Sequence, residues 1–390
     1  MESSTPKWSN LPNDLVEHIV KLFHSPIDLL LFRSVCSTWR SSSSLSNNIF
    51  HSPLFPLKLP TPTCIDPDLR PSSILLTQST IYKISKPSKT MNTRSWLVRV
   101  EKLSTCAGKV CLKDPLSPSL FGSFTNHKFP KVWNLLNLRV SEVSKAYELK
   151  FDGHQSWACS TSMFKKVVAS DMRDNLSVIA LHRRGKLGVC RVSEKKWTQI
   201  KDNQVWNKYI DITYHNNKFY AVDVKGLCLS VDCSQSQKVR YNAPPGTRSE
   251  FQYYDDRGRY LVNSLGNLLL VDNPPVRGCN VHFNVYRLNE DEGQWIPVDN
   301  LGDQALFLGD DCSFSVSAGD LVGCKSNCIY FTVYGYTCYD AYAGYHAWQF
   351  DLDDHTLTPL SPKTRFTNPF RPLSTLLKAR KKSLALFLGC

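Results

Sequence analysis

Short β-type runs separated by turn residues recur from about residue 73 to residue 360, and they constrain the fold more than any other feature. Segments 177–182, 218–223 and 346–351 are typical, and turns such as Asn216-Asn217 and Lys225-Gly226 join neighbouring runs as hairpin connections do. No segment of comparable length has the apolar spacing of a helix. The sequence therefore predicts a predominantly β domain over residues 73–360.

A weak internal repeat indicates how these strands are organised. Segments 177–200, 281–298 and 346–360 each read as strand, turn and strand, and the first two close on Trp197 and Trp295. Units of about 40–50 residues that end in this way are typical of propeller blades, and residues 73–360 provide length for about six. The fold prediction is thus a β-propeller-like domain of about six blades. A pair of β-sandwiches is the alternative.

The first forty residues have a different, helical pattern. Leu15, Ile19, Leu22 and Phe23 form one apolar stripe on a helix, and Ser25-Pro26-Ile27-Asp28 carries the signals of a second helix start. A segment of this size has too little core to bury all of its apolar side chains by itself. We therefore expect a small all-α module that a partner or the downstream domain covers in part.

The residues of this module resemble an F-box, the helical module that binds the SKP adaptor of an SCF ubiquitin ligase. Leu11-Pro12, Asp28-Leu29 and Val35-Cys36-x-x-Trp39-Arg40 match the family pattern. The resemblance implies a three-helix F-box, and a plain helical cap on the β domain is the alternative. It also implies the following adaptor-binding residues: Leu11, Pro12, Leu15, Ile19, Leu22, Leu29, Val35, Cys36 and Trp39.

A second resemblance covers the C-terminal half. The segment 305–316, with its Leu-Gly-Asp and Ser-Phe-Ser elements, and the later Asn-Cys-Ile-Tyr-Phe of 327–331 are similar to a plant F-box family whose second domain is known only as domain of unknown function 295. Together the two resemblances cover the chain up to about residue 360. The basic, leucine-rich end does not follow that family's pattern.

Composition divides the chain into four predicted parts: an F-box over 8–50, a proline-rich linker or extended arm over 51–72, the β domain over 73–360 and a basic tail over 361–390.

The net charge is +13, and the tail alone carries seven Lys and Arg without an acidic residue. The mildly basic body argues against a nucleic-acid footprint. Within the tail, Lys378, Arg380, Lys381 and Lys382 fit a nuclear localisation patch, a solvated basic tail or an amphipathic segment touching an acidic membrane.

The sequence contains no recognisable catalytic, cofactor or metal motif. Serine-hydrolase elbows, phosphate-binding loops, dinucleotide fingerprints and Cys-x-x-Cys pairs are all missing from it. Cys324, Cys328, Cys338 and His346 have poor zinc spacing, and core packing explains Cys328 better because it lies in a β run. We interpret Asp310-Asp311 as a solvated turn. Neither a signal peptide nor a membrane-spanning run is expected. We predict a non-enzyme without cofactor.

These features predict a substrate-recognition subunit of an SCF-type E3 ubiquitin ligase, located in the nucleus, the cytoplasm or both. Its expected partners are an SKP-type adaptor, through it a cullin, and an unknown target protein. The alternative is an F-box-bearing transcription or signalling cofactor without a role in degradation. A nucleic-acid binder acting through the tail is a further rival. Tyrosines between 334 and 345 are candidates for the target-binding surface.

Overall fold

The computed structural model describes residues 8, 11–21, 26–43, 55–69, 73–85, 95–102, 110–116, 138–151, 163–170, 176–201, 208–233, 237–244, 258–273, 281–321, 323–337 and 340–360. Three helices come first: α1 (Asn13–Lys21), α2 (Pro26–Ser34) and α3 (Ser37–Ser42). Val16 and Val20 of α1 pack against Leu29 and Phe32 of α2 in a small core of their own. The predicted all-α module is thereby confirmed.

Strands account for nearly all other regular structure. The strands are β1 (Leu57–Pro60), β2 (Ser73–Ser85), β3 (Ser95–Lys102), β4 (Val110–Lys113), β5 (Arg139–Phe151), β6 (Phe164–Ala169), β7 (Ser177–His182), β8 (Leu187–Arg191), β9 (Lys196–Gln199), β10 (Tyr209–His215), β11 (Lys218–Asp223), β12 (Cys228–Asp232), β13 (Gln237–Tyr241), β14 (Gly258–Ser264), β15 (Asn267–Asn273), β16 (Asn284–Asn289), β17 (Gln294–Pro297), β18 (Gln304–Leu308), β19 (Ser313–Ser317), β20 (Cys328–Thr337), β21 (Asp340–Asp351) and β22 (Leu357–Pro359). A 3₁₀ turn, Ala318–Asp320, follows β19.

These strands form blades, each a short sheet. The order in the first sheet is β4-β3-β2-β5-β6-β7-β8-β9, with β1 added beside β2, but β5 and β6 pair only through Tyr147 and Val167. We therefore divide it into blade 1 (β1–β5) and blade 2 (β6–β9). Blade 3 (β10–β13) and blade 4 (β14–β17) are four-stranded antiparallel sheets. Blade 5 has the order β19-β18-β20-β21-β22, with β18 and β20 parallel.

Apolar clusters between neighbouring blades show that the blades close into a ring. One cluster joins blades 1 and 2, and three others join blades 2 and 3, 3 and 4, and 4 and 5. The fifth returns from blade 5 to blade 1, where Phe307 and Tyr330 pack with Ile81 and Leu97. The predicted propeller is confirmed, and the described ring closes with five blades where the repeat length predicted about six. Strands of 13 residues in blade 1 use more chain per blade than the repeat assumed.

Residues 55–69 lie along blades 1 and 2. β1 pairs with β2, the Trp197 indole N–H donates to the Pro60 carbonyl at 2.8 Å, and Ile65 packs in the core between these blades. A stretch that the sequence predicts as a linker or extended arm is therefore anchored to the propeller. Four cysteines lie in strands of these blades: Cys190, Cys228 and Cys328 are buried and Cys111 is half-buried.

Candidate functional site

The N-terminal helices present apolar side chains to solvent. Of the five large apolar residues that are exposed in the described part of the chain, three lie here: Trp8 is 66% exposed, Leu15 49% and Val35 60%. The helical core uses Val16 and Val20, with Ile19 packed against it, whereas Leu15 of the predicted stripe is exposed. Exposed apolar side chains concentrated in one small module indicate a contact surface.

Hydrogen bonds and packing hold α3 in place behind this surface. The Trp39 backbone N–H donates to the Cys36 thiol at 3.4 Å, which caps α3, and the Trp39 ring stacks on Phe32 with centroids 4.4 Å apart. The Trp39 indole N–H donates to the carbonyl of Trp8 at 3.1 Å. Two positions of the Val-Cys-x-x-Trp-Arg motif, Cys36 and Trp39, thus have a structural role, and its valine is left exposed.

The predicted adaptor-binding residues fall into two groups. The helical core contains Leu29 together with the half-buried Leu11, Ile19 and Trp39, and Cys36 caps α3. Pro12, Leu15 and Val35 are exposed and available to a partner. Leu22 lies outside the described residues. Adaptor binding itself stays a prediction for all nine.

A cavity of about 250 Å³ lies at the centre of the ring, where strands from all five blades meet. Its lining is polar and its charges are paired: Lys166 Nζ lies 2.8 Å from Asp211 Oδ1, and Arg99 Nη1 lies 2.8 Å from Asp311 Oδ1. Burial alone would raise the pKa of Asp311, but the Arg99 guanidinium outweighs it and lowers that pKa. These pairs join different blades, so they are explained as structural contacts.

Sequence reasoning missed the role of Asp311. The Asp310-Asp311 pair is expected in a solvated turn, yet Asp311 is buried and only Asp310 is exposed. Its partner Arg99 lies 212 positions earlier, so no local signal could have found the pair. In the segment 351–354 the aspartates do form a turn, because Asp351 Oδ1 accepts the Asp353 backbone N–H at 3.0 Å.

The described residues contain no group of three or more His, Cys, Asp and Glu side chains placed to hold a metal ion. No helix among them has the length and apolar character needed to cross a membrane. The side chains of the tyrosines between 334 and 345 and the basic patch Lys378, Arg380, Lys381 and Lys382 lie outside the part that the structure describes.

Comparison with known proteins agrees with this architecture. Residues 8–51 match the F-box domain model, and residues 72–358 match the KIB1-4 beta-propeller family model. Among Arabidopsis thaliana proteins, the chain is 30% identical to putative F-box protein At3g25750 over 90% of this chain and 93% of that protein. It is 31% identical to F-box protein SKIP23 over 83% of each, and 34% identical to putative F-box protein At5g60060 over 83% of this chain and 88% of that one. Because the propeller model covers most of the chain and these relatives are at least 30% identical over 83% of it or more, the chain belongs to the plant F-box proteins with a KIB1-4 β-propeller domain.

Proposed function

We propose that this chain is the substrate-recognition subunit of an SCF-type E3 ubiquitin ligase. The observation that carries the proposal is the exposure of Leu15 and Val35 on a helical module that is joined to a much larger propeller. Each of these side chains is about half exposed, so burying the rest of it against an SKP-type adaptor contributes about 1 kcal/mol. The propeller then remains free to bind a target protein.

In this proposal the chain performs no chemistry of its own. An E2 enzyme carries activated ubiquitin on the cullin, and this chain holds the target close to it. Proximity raises the effective concentration of a target lysine near the thioester. Transfer of ubiquitin and degradation of the target by the proteasome follow from that placement.

The alternative is an F-box protein that binds the adaptor as a signalling or transcription cofactor, without degradation of a target. Both proposals need the same helical surface, because both need the adaptor. They differ in the fate of the protein that the propeller binds. Reconstitution with adaptor, cullin, E1 and E2 separates them, since only the first proposal expects polyubiquitin on that protein.

The first test is the substitution of Leu15 and Val35 by Glu in the full chain. We expect both variants to bind a purified SKP-type adaptor about tenfold or more weakly, because a charge placed in an apolar interface costs at least the 1.4 kcal/mol of a tenfold change. Affinity is measured by calorimetric titration. Folding is checked by thermal melting, which should change little because both side chains are exposed.

Leu265→Glu is the matched control. It makes the same chemical change at an exposed leucine in blade 4, far from α1 in the chain. We expect this variant to bind the adaptor like the wild-type chain. If Leu15→Glu and Val35→Glu also keep wild-type affinity, the helical surface is not an adaptor site and the proposal fails.

A further inference from the structure

Three connections at one end of blades 2 and 3 are joined by backbone hydrogen bonds. They are the β7–β8 turn, the residue that precedes β10 and the β11–β12 turn. The Tyr209 N–H donates to the Gly185 carbonyl at 3.1 Å, and the Val224 N–H donates to the Lys208 carbonyl at 3.0 Å. A Cβ added to Gly185 would lie 2.4 Å from Lys208 Cγ, so the stem of this lysine packs directly on the β7–β8 turn. The three connections therefore form one continuous surface.

This surface carries five basic side chains, which we call the basic corner. They are Arg183, Arg184, Lys186, Lys208 and Lys225. The three from the β7–β8 turn are exposed, and the other two are half-buried. Lys186 Nζ donates to the Ile65 carbonyl at 3.4 Å, and an ammonium group has further donors for a partner. The corner thus presents several cations to solvent on a hydrogen-bonded backbone.

The carboxylates of these connections and of residues 55–69 beside them do not balance this charge in the described part of the chain. Asp66 and Asp223 are buried, and Asp223 Oδ1 accepts two backbone N–H groups of its own turn at 2.8 Å and 2.9 Å. Arg184 lies 3.9 Å from a carboxylate oxygen of Asp66 and of the exposed Asp68. Ion pairs of such length, on an arginine that is 62% exposed, are weak. A carboxylate from a partner can therefore replace them.

The chemistry of the basic corner fits an acidic protein segment better than a nucleic acid. Guanidinium groups bind carboxylates through two parallel hydrogen bonds, and two arginines are adjacent on the β7–β8 turn. Single-stranded nucleic acids are bound along grooves in which bases stack on aromatic rings. The five side chains of the corner include no aromatic ring. A segment rich in Asp and Glu is thus the occupant that these groups favour.

We propose that the basic corner is a contact site for an acidic segment of the target protein. Carboxylates of that segment accept hydrogen bonds from Arg183, Arg184 and Lys186, and the remaining two lysines add to the positive potential. The inference rests on the proposed function, because it assigns a class of partner to the propeller.

The test uses two rhodamine-labelled peptides titrated into the full chain up to millimolar concentration. The first peptide is Gly-Glu-Asp-Glu-Asp-Gly, and the matched second peptide, Gly-Gln-Asn-Gln-Asn-Gly, replaces each carboxylate by an amide. We expect fluorescence anisotropy to show saturable binding of the acidic peptide alone. The double variant Arg184→Gln/Lys186→Gln should weaken that binding about fivefold or more.

The matched control is the double variant Lys195→Gln/Lys196→Gln. It also removes two exposed cations, but from the β8–β9 turn at the opposite end of β8, so the change in net charge is the same. We expect this variant to bind the acidic peptide like the wild-type chain. Melting temperatures check the fold of both variants and should change little, because all four side chains are exposed.

Each of the following results would overturn the proposal. The acidic peptide does not bind, both peptides bind equally, or the two double variants lose the same affinity, which would assign the binding to net charge. Unchanged affinity in Arg184→Gln/Lys186→Gln would assign it to another basic part of the chain. Tighter binding of an oligothymidylate of the same charge, lost in that variant, would make the corner a nucleic-acid site.

Two further measurements separate this inference from the ligase proposal. Leu15→Glu must keep binding of the acidic peptide, and Arg184→Gln/Lys186→Gln must keep binding of the adaptor. Failure of the peptide experiment alone is therefore distinct from failure of the helical surface as an adaptor site.

Discussion

His182 links the strand core of blade 2 to the residues that precede the propeller. Its Nδ1 accepts the Arg184 backbone N–H at 3.1 Å, so the ring proton belongs on Nε2, which lies 3.1 Å from Asp66 Oδ2. Burial lowers the pKa of His182, the nearby Arg184 and Lys186 lower it further, and Asp66 opposes them without reversing the shift. The folded protein therefore holds this imidazole neutral.

The lowered pKa predicts a pH-dependent contribution to stability. The unfolded chain takes up a proton at a pKa of about 6.5, whereas the folded chain resists it, so stability from this group is present above that pH and is lost as the pH falls below it. His182→Gln keeps an N–H donor for Asp66 but does not titrate. We expect the variant to lose less thermal stability than the wild-type chain between about pH 7 and about pH 5.

Melting temperatures measured across that range for both chains provide the check. Other titrating groups, His215 included, are common to the two proteins and cancel in the difference. Parallel curves for wild type and His182→Gln would contradict the prediction.

Among the elements, the connection between β18 and β19 shows why the 305–316 motif is so specific. A side chain at Gly309 would lie 2.6 Å from the Leu116 carbonyl oxygen, so only glycine allows this approach. Asp310 donates its backbone N–H to the same carbonyl at 3.0 Å, and Phe314 stacks on Phe307 at 5.2 Å. The motif closes the ring between blades 5 and 1.

Strand positions could be predicted from local pattern, because β7 and β11 begin and end where the short β-type runs and the turn residues between them indicate. The F-box helices could be predicted for the same reason. The role of the 305–316 motif could not, because it depends on Arg99 and Leu116, which lie about two hundred residues earlier.

The contact between residues 55–69 and β8 of blade 2 can be tested by adding a side chain where there is no room for one. An added Cβ at Gly188 of β8 would lie 2.1 Å from Ile65 Cδ1 and 2.5 Å from Ile65 Cγ1. Gly188→Ala should therefore push this segment from blade 2 at a cost of about 1–3 kcal/mol. Urea denaturation measures that loss.

The matched background is Ile65→Ala, which removes the obstructing atoms. In that background Gly188→Ala should cost clearly less than in the wild-type chain, since the two positions are in contact and their effects do not add. Purely additive losses would mean that Ile65 does not occupy this space.

At the scale of the whole molecule, apolar clusters fill the interfaces between blades, and a few buried ion pairs and hydrogen bonds cross them. Asp211 of β10 provides the most connected link: Oδ1 lies 2.8 Å from Lys166 Nζ in blade 2, and Oδ2 accepts the Leu261 backbone N–H of blade 4 at 2.7 Å. One carboxylate thereby joins three consecutive blades. The blade count could not be read from the repeat, because it depends on such closure and on unequal strand lengths.

Asp211→Ala should be among the most damaging single substitutions in the propeller. It leaves the Lys166 ammonium buried without its partner, which costs about 3–5 kcal/mol. Glu194→Ala breaks the Arg191–Glu194 pair, whose side chains are 39% and 52% exposed, and should cost less than about 1 kcal/mol. Lys166→Met combined with Asp211→Asn removes both charges and keeps an acceptor for Leu261, so most of the loss should be recovered. Urea denaturation of the four proteins distinguishes these cases: if Asp211→Ala costs no more than Glu194→Ala, the carboxylate does not hold the three blades together.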